Sequence, residues 1–175
     1  MVTSTLRGRA RTHAALALCA AWLCAARAPA QRWIADAHAG LKTGLEGADT
    51  GSGVDWQRAR TRLVLGLDLG SDEAHFTTLG FRAFVELERS VGVGAELGVM
   101  HWFSPSWGIF GGAAAVIAPE TLVGGTANLI YVLPLGESLG LYIDGSVSAL
   151  PLGSDRPDDG TVLWVLIGIG VRGRL

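Results

Sequence analysis

This chain has little of what a water-facing surface or a membrane-spanning helix requires. Charged residues make up 17% of its 175 residues, and Lys42 is its only lysine. An average protein carries about 25% charged residues. Although 49% of the residues are hydrophobic, no run reaches the roughly 20 apolar residues that a spanning helix needs. The composition therefore indicates an apolar chain that cannot cross a membrane as a helix.

Cysteine is also scarce, because the two cysteines, Cys19 and Cys24, both lie near the N-terminus. Three arginines (Arg7, Arg9, Arg11) precede an uncharged stretch over 14–26, which leads into Ala28-Pro29-Ala30. A basic segment, an apolar segment and an A-x-A end are typical of a secretory signal peptide. We expect residues 1–30 to be this peptide and residues 31–175 to be one domain without a thiol.

Basic residues are too few for a nucleic-acid partner. The whole chain has 14 basic and 16 acidic residues. Removal of residues 1–30, with their four arginines, would leave 10 basic and 16 acidic residues and a formal charge of −6. Nucleic-acid-binding domains are typically basic, so the charge argues against nucleic acid as a partner.

What the chain does contain is hydrophobicity of period two, which predicts strands. The clearest case is 58–70, where Leu63, Leu65, Leu67 and Leu69 alternate with polar residues and glycines. Because successive side chains of a strand point to opposite faces, this segment has one apolar and one charged face. Similar patterns predict eight strands, near 32–45, 58–70, 76–88, 91–103, 107–118, 121–132, 138–149 and 161–175. The fifth and sixth of these are only weakly patterned.

The connections between these strands contain turn-forming residues. Those over 47–55 and 151–160 are long, polar and rich in glycine and proline. None is long enough to hold a helix that would join parallel strands, so antiparallel neighbours are expected. With the first strand starting on the periplasmic side, both long loops would lie outside the cell, as is usual in membrane barrels.

Alternation alone does not say which face of a barrel lies inside. Three observations favour an interior of charged residues: the charged face also carries glycines, its opposite charges nearly balance, and aromatic residues lie near strand ends. Small residues suit the narrow lumen of an eight-stranded barrel; the glycines are Gly66, Gly70, Gly80, Gly92, Gly94, Gly98, Gly168 and Gly170. The aromatic residues, which would form interfacial girdles, are Trp33, Trp56, Trp102, Phe103, Trp107 and Tyr131.

This orientation predicts two sets of residues. The interior polar network would comprise Asp36, His38, Lys42, Arg58, Arg60, Arg62, Asp68, Arg82, Glu86, Glu88, Glu96, Asp144 and Arg172. The lipid-facing set would comprise Leu63, Leu65, Leu67, Leu69, Leu79, Phe81, Val85, Leu139, Leu141, Ile143, Val165, Ile167 and Ile169. Since a sheet edge in lipid leaves unpaired backbone groups, the strands must close. The predicted fold is all-β: a closed, antiparallel, up-and-down transmembrane β-barrel of eight strands.

The predicted signal peptide, the alternating strands and a last strand that runs to Leu175 form a recognisable combination. In these features the chain resembles the small eight-stranded outer-membrane barrels of Gram-negative bacteria. The OmpA transmembrane domain and OmpX are of this kind. The likeness covers 31–175 by pattern. It implies insertion by the barrel-assembly machinery, which in this family reads a C-terminal aromatic residue. This chain ends in Leu175 instead.

No catalytic, cofactor or metal site is expected. The histidines His38, His75 and His101 lie on separate segments without metal-ligand spacing. His101 and Ser104 invite comparison with lipid A deacylases, but a spacing of three puts them on opposite faces of a strand. The expected function is therefore non-enzymatic.

We expect a structural or interaction protein of the Gram-negative outer membrane, with a side-chain-filled interior and with loops 46–57 and 151–160 as its contact surface. Its partners would be membrane lipid and lipopolysaccharide. Three alternatives stay open: a narrow transport or ligand-binding barrel, a lipid A-modifying enzyme centred on His101, and a soluble periplasmic barrel that binds an apolar ligand.

Overall fold

A computed structural model describes most of the chain after residue 32. The described ranges are 33–49, 53–71, 76–87, 91–119, 121–154 and 160–175. The predicted signal peptide lies outside them. None of these ranges contains a helix with the length and apolarity needed to cross a membrane.

Eight strands account for most of the described residues. They are β1 (Trp33–Asp49), β2 (Val54–Ser71), β3 (Thr77–Glu86), β4 (Gly92–Trp102), β5 (Trp107–Ala118), β6 (Leu122–Pro134), β7 (Leu139–Gly153) and β8 (Val162–Arg174). Each pairs antiparallel with the next, and β8 pairs with β1, so the sheet closes. This confirms the predicted all-β fold with a closed antiparallel barrel of eight strands.

The barrel has two ends, named here after the tryptophans nearest to them. The Trp33 end carries the described connections 103–106 and 135–138, and it is also where β2 ends and β3 begins. At the Trp56 end β1, β3, β5 and β7 end, and β2, β4, β6 and β8 begin.

The first connection is shorter than its sequence indicates. Asp49 pairs with Val54, and Gly47 pairs with Trp56, so most of the predicted loop 46–57 is a continued hairpin. Likewise β7 runs to Gly153, beyond the predicted start of the 151–160 loop. Both predicted loop boundaries are wrong because antiparallel pairing continues through residues that also suit turns.

A bulge between β1 and β2 reverses which residues of β2 face inward. Lys42 pairs with Arg62, but Gly44 pairs with Ala59, so β2 has one more residue than β1 over this interval. A bulged residue shifts the alternation by one position. Ala59 is therefore buried, whereas Arg58 is exposed. The prediction that Arg58 belongs to the interior is wrong for this reason.

Inward glycines stand where a side chain would have no room. A Cβ added at Gly80 would come within 2.9 Å of both Asp68 Oδ1 and Phe110 Cε2. Asp68 and Phe110 are 1% and 0% exposed, so neither can move aside easily. A Cβ added to the outward-facing Gly111 would meet nothing within 4 Å. The crowded face of the sheet is thus the inner one.

We predict that Gly80→Val destabilises the barrel by about 1–3 kcal/mol, the usual cost of overpacking a filled interior. The matched variant Gly111→Val, also in a strand but facing outward, should change stability by less than about 0.5 kcal/mol. Urea unfolding of both variants, followed by tryptophan fluorescence, measures the difference. Equal destabilisation by the two valines would contradict a crowded interior.

Candidate functional site

The barrel interior brings together ten of the thirteen polar residues predicted to lie there. These are Asp36, His38, Lys42, Arg62, Asp68, Arg82, Glu86, Glu96, Asp144 and Arg172. Arg58 lies outside, and the side chains of Arg60 and Glu88 are not among those described. Nine of the ten form three groups along the barrel axis, and the tenth, His38, has its Nδ1 3.9 Å from Asp68 Oδ2 of the first group.

Nearest the Trp33 end, Arg172 connects two carboxylates. Its Nη2 lies 2.9 Å from Asp36 Oδ2 and 3.4 Å from Asp68 Oδ2. The guanidinium also lies over the Trp102 ring, with Cζ 4.2 Å from the ring centroid. A planar cation held by charge on one side and an aromatic face on another has little freedom to move. Arg172 is thereby fixed in place.

In the middle of the barrel two ion pairs are linked by the side-chain amide of Asn128. Lys42 Nζ lies 2.5 Å from Asp144 Oδ2, and Arg82 Nη1 lies 3.4 Å from Glu96 Oε2. When its amide is oriented to satisfy its neighbours, Asn128 accepts hydrogen bonds from both Lys42 Nζ and Arg82 Nη1. The chain thus neutralises and links these charges away from water.

Toward the Trp56 end, Arg62 lies between aromatic rings. Its Cζ is 3.5 Å from the Trp164 ring centroid and 4.9 Å from that of Phe84. Its Nε donates to Glu86 Oε1 at 3.0 Å, and Trp164 Nε1 donates to Glu46 Oε2 at 3.0 Å. Beyond this group the interior is apolar; the buried side chains there include Val116, Leu122, Leu150, Val162 and Leu166.

Sequence reasoning missed some of the interior polar residues. Thr126 and Asn128 are buried on β6, one of the two weakly patterned strands, and Ser148 Oγ donates to Thr126 Oγ1. The sequence pattern predicts a loop at Glu46, yet this residue lies on β1 beside Trp164. These residues could have been identified only from the register between neighbouring strands. That register depends on how the strands pair and cannot be read from the pattern of one strand.

Little open space remains in the middle of the barrel. A central void of about 10 Å³ is lined by residues that include His38, Lys42, Asp68 and Asp144. At the Trp33 end the interior opens into a mouth of about 440 Å³. The described residues contain no group of histidine, cysteine and acidic side chains arranged to hold a metal ion.

The predicted lipid-facing residues all lie on the outer face of the barrel. Eleven of the thirteen are exposed, from 37% for Leu141 to 61% for Ile167. Leu67 and Val85 are half-buried on the same face. The outside of this protein is therefore covered by large aliphatic side chains.

Outward aromatic residues concentrate at the Trp33 end. Trp33, Phe103 and Trp107 are exposed there, and the Trp107 ring packs against Tyr131 with centroids 4.8 Å apart. Trp56 is exposed at the other end. Trp102, expected among them, instead lines the mouth and packs on Arg172. Its assignment to a girdle is wrong because alternate residues of β4 face inward, and Trp102 follows the inward-facing Met100 by two positions.

The structure does not join His101 to Ser104. His101 Nδ1 is 2.9 Å from the hydroxyl of Thr77, its partner across β3 and β4. Ser104 Oγ accepts hydrogen bonds from the backbone N–H groups of Ser106 and Trp107, at 3.3 and 2.9 Å. The serine therefore stabilises a turn.

No family model, curated protein or solved structure matches this chain. Its function has to be inferred from its geometry.

We predict that Lys42→Met destabilises the barrel by about 3–5 kcal/mol, because it leaves Asp144 charged and buried without its partner. The double variant Lys42→Met with Asp144→Leu should recover most of this loss, since a buried ion pair can be replaced by apolar residues of similar volume. Urea unfolding of the two single variants and the double variant gives the coupling free energy. A double variant no more stable than Lys42→Met would contradict the pairing.

Proposed function

We propose that this protein is an outer-membrane β-barrel of a Gram-negative bacterium, with a sealed interior and a structural or interaction role. One observation carries the proposal: the distribution of polar and apolar side chains is the reverse of that in a water-soluble barrel. Paired charged side chains occupy the middle of the interior, and the outer face is aliphatic.

The energetics of that inversion favour lipid over water as the surroundings. Leu65, Leu97 and Val147 are each 55% exposed in the middle of their strands. Apolar surface left in water costs about 25 cal/mol per Å², and a belt of such residues would be a strong drive to aggregation. Acyl chains remove this cost. A bilayer is thus the solvent in which this outer face is stable.

The height of the aliphatic belt fits a membrane. On β5 the outward residues run from Trp107 to Ile117. At about 3.3 Å per residue and a strand tilt of about 40°, this interval spans roughly 25 Å along the barrel axis. The apolar band of outer-membrane barrels has about this height.

The soluble alternative, a barrel that holds an apolar ligand, receives no support. Such a barrel would turn its aliphatic residues inward and leave an apolar cavity. Here the central void is only about 10 Å³, and charged residues such as Lys42, Asp68 and Asp144 contribute to its lining. The lipid-modifying alternative is also weak, because Ser104 is engaged in its own turn.

The interaction surface would lie at the Trp56 end, which faces outward if β1 starts in the periplasm. It would comprise the β1–β2 hairpin, with Asp49 and Asp55, and the residues that follow Gly153 in the chain. The outer-leaflet lipopolysaccharide is the expected neighbour of this surface. Export would depend on the signal peptide at 1–30, and insertion on the barrel-assembly machinery.

We predict that the expressed protein fractionates with outer membranes and that Leu65→Arg reduces its recovery there. An arginine facing lipid near the bilayer midplane costs about 2–4 kcal/mol, but only about 0–1 near the interface. Leu152→Arg, at the rim and 62% exposed, is therefore the matched control. Recovery of the unmodified chain in the soluble periplasmic fraction would reject the membrane proposal.

We also predict no steady conductance when the purified barrel is inserted into planar lipid bilayers. The buried apolar side chains toward the Trp56 end, such as Leu150 and Val162, and the small central void leave no path for hydrated ions. Single-channel recording at symmetric salt measures this directly. A reproducible open level would instead favour the narrow transport barrel.

A further inference from the structure

The mouth at the Trp33 end differs from the rest of the interior because it is open and only partly neutralised. Its volume of about 440 Å³ lies within the range of small-molecule sites. Arg172 forms part of its lining and is held by Asp36, Asp68 and Trp102. That arginine is engaged, so it shapes the mouth without offering a free charge.

Two other charged residues at the mouth, Arg174 and Glu137, do not form an ion pair with each other. Arg174 is 61% exposed, and its one ion pair with a described residue joins Nε to Asp36 Oδ1 at 3.6 Å. Glu137 lies in the β6–β7 connection and forms no ion pair or hydrogen bond with any residue that the structure describes. The two elements meet here, since Arg174 N donates to Ser138 O at 2.8 Å. A cation and an anion therefore stand on one rim without neutralising each other.

The rest of the lining is mostly apolar or aromatic. Ile34, Phe76, Trp102 and Val132 contribute side chains. Thr78 also lines the mouth, and its buried hydroxyl has no hydrogen-bond partner in the described part of the chain. Sites for small molecules combine such apolar walls with a few polar groups that fix orientation.

We propose that the mouth binds a small zwitterion with an apolar body, of the class of an α-amino acid with an aliphatic side chain. Its carboxylate would pair with the Arg174 guanidinium, which offers several N–H donors in one plane. Its ammonium group would pair with Glu137, and its side chain would pack against Trp102 and Val132. A simple anion or cation would satisfy only one of the two rim charges. This binding requires only the folded barrel and does not depend on where the barrel resides.

The test compares three probes of similar shape by calorimetric titration of the full folded chain in a neutral detergent. L-leucine carries both charges, 4-methylpentanoate carries the carboxylate alone, and 3-methylbutylamine carries the ammonium alone. We expect leucine to bind at least tenfold more tightly than either of the others. Glu137→Gln should reduce leucine affinity to that of 4-methylpentanoate, and Arg174→Gln to that of 3-methylbutylamine.

Matched variants separate the site from general charge effects. Asp55→Asn and Arg58→Gln remove the same charges near the Trp56 end and should leave leucine affinity unchanged. Arg174→Lys, which keeps the cation, should retain more affinity than Arg174→Gln. Equal affinity for all three probes, or leucine binding that survives both Glu137→Gln and Arg174→Gln, would overturn the proposal.

Discussion

The narrow lumen of a closed eight-stranded sheet is the constraint on which the rest of this structure depends. Once β8 pairs with β1, every inward side chain must share a space only just wide enough to be filled. Large inward residues therefore stand beside glycines: Phe84 fills the space that a Cβ at Gly94 would need, and Asp144 does the same at Gly168. The glycine content of the inner face is a packing requirement.

Charge neutralisation follows from the same confinement. Charged groups removed from water cost several kcal/mol each unless they are paired and hydrogen-bonded. The barrel meets this cost in two ways. Ion pairs such as Lys42–Asp144 connect neighbouring strands, and the arginines Arg62, Arg82 and Arg172 each lie against an aromatic ring. The aromatic faces replace part of the water that the guanidinium groups have lost.

The interior is not uniform along its axis, and this asymmetry bears on function. Apolar side chains such as Leu150 and Val162 close it toward the Trp56 end, while the Trp33 end opens into a mouth. We expect a barrel closed at one end and open at the other not to conduct ions, while its open end offers the space for the small molecule proposed above. A passive membrane barrel and a binding cup are thus compatible roles for one fold.

The sequence by itself determined the strand period, the number of strands and which face carries charge, because these depend on alternation within single strands. The tertiary structure alone decided what depends on pairing between strands. The bulge opposite Thr43 turned Arg58 outward, parity at the end of β4 brought Trp102 to Arg172, and register set Thr77 against His101. The position of Arg174 beside the β6–β7 connection likewise follows from the pairing of β7 with β8, which brings together segments that are far apart in the chain.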